Sequence, residues 1–521
     1  MWQHSGLRTR SISDFFNRTF REPAYRSLET WANSFIATTR ARFSRSVRSL
    51  REYIYVSPRS LLLDLIFLLT LITAVLGFIL SHYFKIDVTS SLLFLPFDCF
   101  STSHPGEDVG GHCFTDYLLT KTFALQSDPW DKLGPPHNFG NNYPAASMLP
   151  HFLFGHLGQL LGQPRLGLTA YLAALTAAAL SPALWAARSS RGLARRMLFI
   201  SIGIVAIPVW MVVDRGNSTG FVVPIMLIYL ISLSRKQWKT VAIMVVLAAL
   251  VKPQFALIGV ALLAGRQWRI SIYTAASGIT ASLLAYLFWP QRFPATLLQS
   301  IHGIMGYWDV STTHIYSTPT NRYNVSFVKG LLLVPDALKA QENGGVIPED
   351  YLEHLRTILG FSIPAAIALA LLILGRRIPP FMAGIILLPT ASLFPIMSAR
   401  YYLVFALPIA AILVRDPNKE TESGLFDNRV GGARKIGILV SIATAATIAQ
   451  IPFPFPPMVR AISNSNGVTE FQGAGPGYVE TTSVITPLLW LAVCIAAVVF
   501  YARPPKMDGL SENRPETTKV E

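Results

Sequence analysis

Long apolar runs separated by polar breaks recur from residue 60 to residue 502. The first, "SLLLDLIFLLTLITAVLGFILSH" (60–82), is long enough to cross the roughly 30 Å hydrocarbon layer of a bilayer as one helix. Others cover 145–162, 165–187, 195–213, 217–233, 239–264, 270–290, 353–375, 379–397, 399–414, 434–451 and 484–502. The pattern predicts an all-α polytopic membrane protein. Three long polar stretches interrupt it, at 83–164, 291–352 and 452–483. A stretch of about 80 residues without a span is far longer than an ordinary connection, and such stretches are usually functional.

Basic residues orient the spans, because short cytoplasmic loops are rich in Lys and Arg. Arg188 to Arg196, Arg235 to Lys239, Arg266 and Arg269, Arg376 and Arg377, Arg415 to Lys435, and the tail after Arg503 are expected inside. The first span leaves residue 83 outside, and the run 165–187 must end inside. The run 145–162 therefore begins and ends outside, and reads as a juxtamembrane helix with Pro144 at its first turn. The run 239–264 begins and ends inside. It reads as two half-spans meeting at "VKPQ", where Pro253 interrupts the helix. The expected count is about twelve spans, with both termini cytoplasmic and the three polar stretches facing outward. The expected organisation is a basic tail (1–59), one transmembrane catalytic domain (60–502) and a disordered tail (503–521).

Composition supports this picture. The chain of 521 residues is 51% hydrophobic and 14% charged, against about 25% charged in soluble domains. Its net charge of +15 does not point to nucleic acid. Residues 1–59 hold eleven Arg and no Lys, which is a topology signal, and residues 31–55 would suit an amphipathic helix on anionic lipid. The first apolar run follows a polar tail, so it is not a secretory signal peptide. Cys99 and Cys113, both in the first outer stretch, are candidates for a disulfide if that stretch is outside the cytoplasm.

Soluble-enzyme motifs are absent: no P-loop, no dinucleotide fingerprint after a strand, no HExxH and no GxSxG. His104, His112 and Cys113 match no closed zinc spacing, so no metal or other cofactor is expected. The first outer stretch holds Asp87, Asp98, Glu107, Asp108, Asp116, Asp128 and Asp131. Asp116 lies in "FTDYLLTKTFALQ", where two readings stand. It is either a helix-start acid favoured by the helix dipole, with Thr115 as cap, or a general base at the membrane surface. On a helix Phe114, Tyr117, Leu118 and Leu125 would share one face, with Asp116 directed away from it.

Lys252 lies within a membrane-depth run, where a Lys costs about 2.5–3.5 kcal/mol on insertion scales and generally faces a cavity or partner. It reads as an anion site beside the helix start after Pro253, or as a snorkelling side chain. Arg215 and Arg400 are isolated cations at outward ends, suited to phosphate or to an acid such as Asp214. Carboxylates and cations around one membrane-facing region suit transfer of a group from a lipid phosphate to a hydroxyl. The carboxylate takes the proton and the cations stabilise the departing phosphate.

The order of these motifs resembles the GT-C superfamily of polyprenyl-phosphate-sugar-dependent glycosyltransferases, and more closely glycosyltransferase family 87, the actinobacterial mannosyl- and arabinofuranosyltransferases. The similar segments are "TDYLLTKTFALQSDPW...NYPAASMLPHFLFG", "DRGNSTGFVVPIMLIYL", "LVKPQFALIGVALLAGRQWR" and "NVSFVKGLLL". They span about residues 60–415. The resemblance implies a GT-C-like bundle and an inverting, metal-independent transfer of mannose, or a related sugar such as arabinofuranose, from a polyprenyl monophosphate. The acceptor would be a lipid-linked or cell-envelope glycan at the outer face of the cell membrane. It implies Asp116 as base, with Asp98 and Asp108 in reserve. Lys252, Arg400 and Arg215 would meet the donor phosphate. Asn217, Gln254, Tyr316, Asn321, Asn324 and Tyr401 would contact sugar or head group. The rival reading is a transporter or flippase for a lipid-linked sugar. Membrane lipid is the expected surrounding partner; the oligomeric state is left open.

Overall fold

A computed structural model describes residues 57–86, 88, 114–130, 141–313, 324–343, 347–348, 351–419, 423–427, 431–454, 460–463, 469–472 and 479–503. The chain divides into one unit of residues 1–57 and another of residues 58–521, and every element below belongs to the second. Asp98, Cys99, Asp108, Cys113, Tyr316 and Asn321 lie outside the described residues, as do both termini.

Each apolar run of the sequence is helical, 195–213 and 239–264 as two helices each, and further helices lie between the runs. In chain order they are α1 (Pro58–Phe84), α2 (Thr115–Ala124), α3 (Ala145–Leu160), α4 (Pro164–Ala187), α5 (Gly192–Ile204), α6 (Ile207–Arg215), α7 (Ser218–Ser234), α8 (Trp238–Val251), α9 (Pro253–Ala264), α10 (Trp268–Phe288), α11 (Ala295–Thr313), α12 (Phe327–Leu331), α13 (Leu333–Glu342), α14 (Glu353–Arg377), α15 (Pro380–Leu393), α16 (Arg400–Val414), α17 (Gly432–Ile448) and α18 (Thr482–Ala502). Among the described residues five are long and apolar enough to cross a membrane: α1, α4, α10, α14 and α18. The pair α5–α6, bent by 49°, makes a sixth if it is one span. The remaining apolar helices, α7, α8, α9, α15 and α16, have 10–17 residues. The chain is a multi-pass membrane protein, and helix length by itself accounts for five or six of the twelve expected spans.

Burial separates lipid-type helices from core helices. On α1 only Pro58, Leu62, Ile66 and Leu80 are buried, while Phe67, Leu71, Val75 and Phe78 are exposed. In α15 every residue from Phe381 to Leu393 is buried, as is nearly all of α16. Helices apolar on all sides need protein or lipid around them; α15 and α16 have protein and form the centre of the bundle.

Two departures from the expected fold stand out. Among the described residues of 452–481, expected to face outward, the elements are strands rather than helices. There β1 (Pro452–Pro454) pairs antiparallel with β4 (Val479–Thr481), and β2 (Arg460–Ser463) with β3 (Thr469–Gln472). Thr115 is the first residue of α2 rather than the residue before it. The cap position is Phe114, in left-handed conformation (φ 46°) and without a side-chain capping bond.

The expected inner ends of several helices meet. Arg415, after α16, donates to the carbonyl of Trp185 at 2.8 Å and lies 4.7 Å from its ring centroid. Arg235, after α7, donates to the Pro417 carbonyl at 2.6 and 3.2 Å. The same α4 carries Tyr171 near its other end, about 21 Å from Trp185 at 1.5 Å rise per residue. Tyr171 and the polar groups around it thus sit at the end of the bundle away from the arginines.

Candidate functional site

The site is assembled where α2, α3 and α4 meet the turn between α6 and α7. That turn is Arg215–Gly216–Asn217. Gly216 closes α6 in the left-handed region (φ 62°), where L side chains are strained. A Cβ on Gly216 would also stand 2.8 Å from Cβ of Tyr117. The glycine therefore does two things: it reverses the chain, and it lets α2 approach the turn closely.

That approach puts Asp116 between the two residues flanking Gly216. Arg215 donates from Nη2 to Oδ1 of Asp116 at 2.5 Å, and Asn217 donates from Nδ2 to Oδ2 at 2.7 Å. The Asn217 side chain is oriented from behind: its Oδ1 accepts from Thr219 N at 2.9 Å and Thr219 Oγ1 at 2.6 Å. Asp116 keeps 13% of its side-chain surface exposed. The face of α2 that packs inward is Tyr117, Thr120 and Ala124, while Leu118 and Leu119 are exposed. Asp116 therefore borders the buried face rather than pointing away from it, and Leu118 is not on that face. Spacing alone could not reveal this, because the partner of α2 is a polar turn rather than an apolar surface.

Lys252 occupies the break between α8 and α9, as the "VKPQ" pattern predicts. It is buried, with Nζ 4.2 Å from the ring centroid of Tyr143. The charge of Asp116 reaches it. The acid expected to act and the buried cation expected to meet phosphate are brought to one place from positions 116 and 252.

Three aromatic residues complete the cluster, and none was singled out by sequence reasoning. Tyr171 donates its hydroxyl proton to the Gly216 carbonyl at 2.9 Å, and His151 Nε2 lies 3.1 Å from the same oxygen. Tyr117 stacks beside Tyr171 with centroids 4.5 Å apart. Burial pushes the Tyr117 phenol up to about 12, so it remains protonated. Burial, with the Lys252 charge adding to it, pushes His151 down to about 3. The one signal for His151 in the sequence is a histidine inside the otherwise apolar run 145–162.

Other expected site residues are engaged elsewhere. Arg400, at the start of α16, is buried and ion-paired with Glu480 of β4. The 3₁₀ turn it opens packs against α6 and the first turn of α7. Asn324 is buried, and its amide is used on backbone: Nδ2 donates to Ile396 O at 2.8 Å, while Oδ1 accepts from Ser326 N and Ser398 N. It ties the 324–326 segment to the 396–399 segment. Gln254 donates to Ala391 O at 3.4 Å, and the Tyr401 ring lies against Tyr402 at 4.9 Å. Of the three cations expected at phosphate or at an acid, Arg215 pairs with Asp116, Arg400 pairs with Glu480, and Lys252 sits beside the aromatic cluster. Among the described residues no group of three or more His, Cys, Asp or Glu could hold a metal ion.

Residues 143–383 match the family model for glycosyltransferase family 87. The resemblance read from the motif order therefore holds, and the chain carries a glycosyltransferase family 87 region. The matched segment contains Lys252, Arg215, Asn217, His151 and Tyr171; Asp116 and Arg400 lie on either side of it. No curated protein matches the chain.

Proposed function

We propose that this glycosyltransferase family 87 chain transfers mannose, or a related sugar such as arabinofuranose, from a polyprenyl monophosphate to a lipid-linked or cell-envelope glycan. The reaction takes place at the end of the bundle away from the Arg235–Arg415 cluster, which on the positive-inside rule is the outer face. One observation supports this reading: the Asp116 carboxylate is held at both oxygens by the family-matched turn 215–217, and the buried Lys252 packs on Tyr143 of the aromatic cluster behind that turn.

In this mechanism the acceptor hydroxyl gives its proton to Asp116 while its oxygen bonds to the anomeric carbon. The bond between that carbon and the phosphate oxygen breaks, leaving polyprenyl phosphate with one more negative charge. Lys252 offsets that charge. A positioned base contributes about 10²–10⁴-fold, and a fixed cation at developing charge about 10²–10³-fold. Arg215 and Asn217 hold the base in line, and attack from the face opposite the phosphate inverts the anomeric centre. Arg400 would reach the phosphate only after releasing Glu480, so Lys252 is the principal phosphate contact in this scheme. Asn217, Gln254 and Tyr401 remain proposed sugar or head-group contacts, and no cofactor is invoked.

The experiment is transfer from radiolabelled polyprenyl-phosphate mannose to a lipid-linked acceptor by purified protein in detergent. Wild type should form glycosidic product, Asp116→Asn should lose at least about 10²-fold in kcat, and Lys252→Gln about 10²-fold. Product from the Asp116→Asn protein at the wild-type rate removes Asp116 from the mechanism. Uptake without bond formation in vesicles would favour a lipid-linked-sugar transporter, and a polyprenyl-phosphate arabinose donor tests the alternative sugar.

A further inference from the structure

The polar chain behind Gly216 has a direction that can be worked out from donor counting. A tyrosine hydroxyl has one proton, and that of Tyr171 goes to the Gly216 carbonyl. The 3.1 Å contact between Tyr171 and His151 Nε2 is then a hydrogen bond only if Nε2 carries a proton and donates. Nε2 of His151 thus carries a proton, and burial keeps the ring neutral, so it is the Nε2–H tautomer. The chain reads His151 N–H to Tyr171 oxygen, and Tyr171 O–H to Gly216 oxygen. All three side-chain and backbone groups are buried.

Gly216 is the middle residue of the turn whose neighbours hold both oxygens of Asp116. Its carbonyl follows the last helical residue of α6, where carbonyls lack intrahelical donors. We infer that His151 is a positioning residue for the Asp116 site: through Tyr171 it fixes the Gly216 peptide plane, and thereby the directions in which Arg215 and Asn217 present their donors. The relay joins α3 and α4 to the turn. Close packing makes it rigid. A Cβ on Gly167 of α4 would collide with the Phe154 carbonyl of α3, and one on Gly158 would stand 3.2 Å from Pro164 Cα. His151 and Tyr171 therefore sit on helices that pack with backbones nearly touching. This role rests on the transferase reading only for its kinetic consequence; the geometric claim is independent of what the site transfers.

The test compares wild type with Tyr171→Phe, His151→Phe and His151→Gln, each purified in detergent, by two measurements. The first is the rate at which phenylglyoxal modifies Arg215, read by peptide mass spectrometry, with the exposed Arg292 as internal control. The second is kcat and KM for mannose transfer. Loss of one hydrogen bond in the relay corresponds to a change of up to about tenfold. Arg215 should become several-fold more reactive in both phenylalanine variants while Arg292 is unchanged. The value of kcat should fall by up to about tenfold with KM nearly constant. His151→Gln, whose amide N–H can replace Nε2–H, should recover most of both. Wild-type Arg215 reactivity in Tyr171→Phe and His151→Phe overturns the inference. So does a fall in kcat that the glutamine variant shares in full. Should His151→Phe not fold, Tyr171→Phe removes a single oxygen and decides the matter. If wild type transfers no sugar, the transferase reading fails, and Arg215 labelling still decides the relay.

Discussion

Among the described carboxylates held by arginine, Asp336 and Asp116 differ most instructively in what is left over. Asp336 of α13 receives Arg356 at both oxygens, at 2.6 and 3.3 Å, and Lys329 Nζ at 3.5 Å. Its side chain is 2% exposed and that of Arg356 1%. Arg356 is further fixed by donating from Nε to Tyr351 O at 3.1 Å. Two cations enclose one acid. Burial lowers the affinity of Lys329 for its proton and Asp336 restores part of it. Asp116, by contrast, has one cation, one neutral amide and 13% of its side chain open. The enclosed acid joins α12, α13 and the start of α14. The open one is oriented and still reachable. On the proposed mechanism, pairing with arginine does not separate a structural acid from a catalytic one. Enclosure and the charge of the second partner do.

The sharpest way to break this contrast is to neutralise each acid and measure folding. Asp336→Asn removes the charge facing the buried Arg356 and the part-buried Lys329 and should cost about 3–5 kcal/mol. It should be read as a large fall in thermal midpoint, with transfer per folded molecule retained. Asp116→Asn should keep the midpoint close to wild type while transfer disappears. Equal destabilisation by both substitutions would erase the distinction.

A smaller effect concerns the histidine behind the open acid. His151 has a folded-state value of about 3, below its ordinary value of 6.5. The unfolded chain therefore binds a proton that the folded one refuses between those values. The neutral histidine contributes stability that is fully present above about pH 6.5 and is lost as pH falls toward 3. The slope is at most about 1.4 kcal/mol per pH unit. Thermal midpoints measured from pH 7.5 to 4.5 should fall more steeply for wild type than for His151→Gln. Parallel curves would show that burial of this ring does not govern acid sensitivity.

The smallest expected effect serves as the baseline. Lys339 and Glu342 pair at 3.0 Å on α13, three residues apart, but Glu342 is exposed and Lys339 is about one-third exposed. Lys339→Ala should change stability by only about 0.2–0.5 kcal/mol. A loss comparable to that of Asp336→Asn would mean that pair geometry, not burial, sets the value of ion pairs in this region.

Much of the architecture was legible in the sequence. The break between α8 and α9 falls at Lys252–Pro253 because proline removes a backbone donor and lysine resists burial in lipid. The run 145–162 is a helix starting beside Pro144. The motif order pointed to the family that residues 143–383 match. The polar stretch 452–481 was less legible, since its short β pairs carry neither helical period nor a long apolar run. The site was half legible. Asp116, Lys252, Arg215 and Asn217 were named, and Arg215, read as suited to phosphate or to an acid, faces Asp116. His151 and Tyr171 passed unnoticed in apolar runs.

By itself the sequence determined where helices form, where they break and which ends carry positive charge. Those properties follow from apolar transfer, backbone hydrogen bonding and charge, which act within one segment and can be summed along it. Tertiary structure alone decided who pairs with whom: Arg215 with Asp116 across 99 positions, Arg400 with Glu480 across 80, Tyr171 with Gly216 across 45. A hydrogen bond or ion pair depends on distances of a few tenths of an ångström and on direction. Those are set only when helices from distant parts of the chain pack together, and no local property of either partner encodes them.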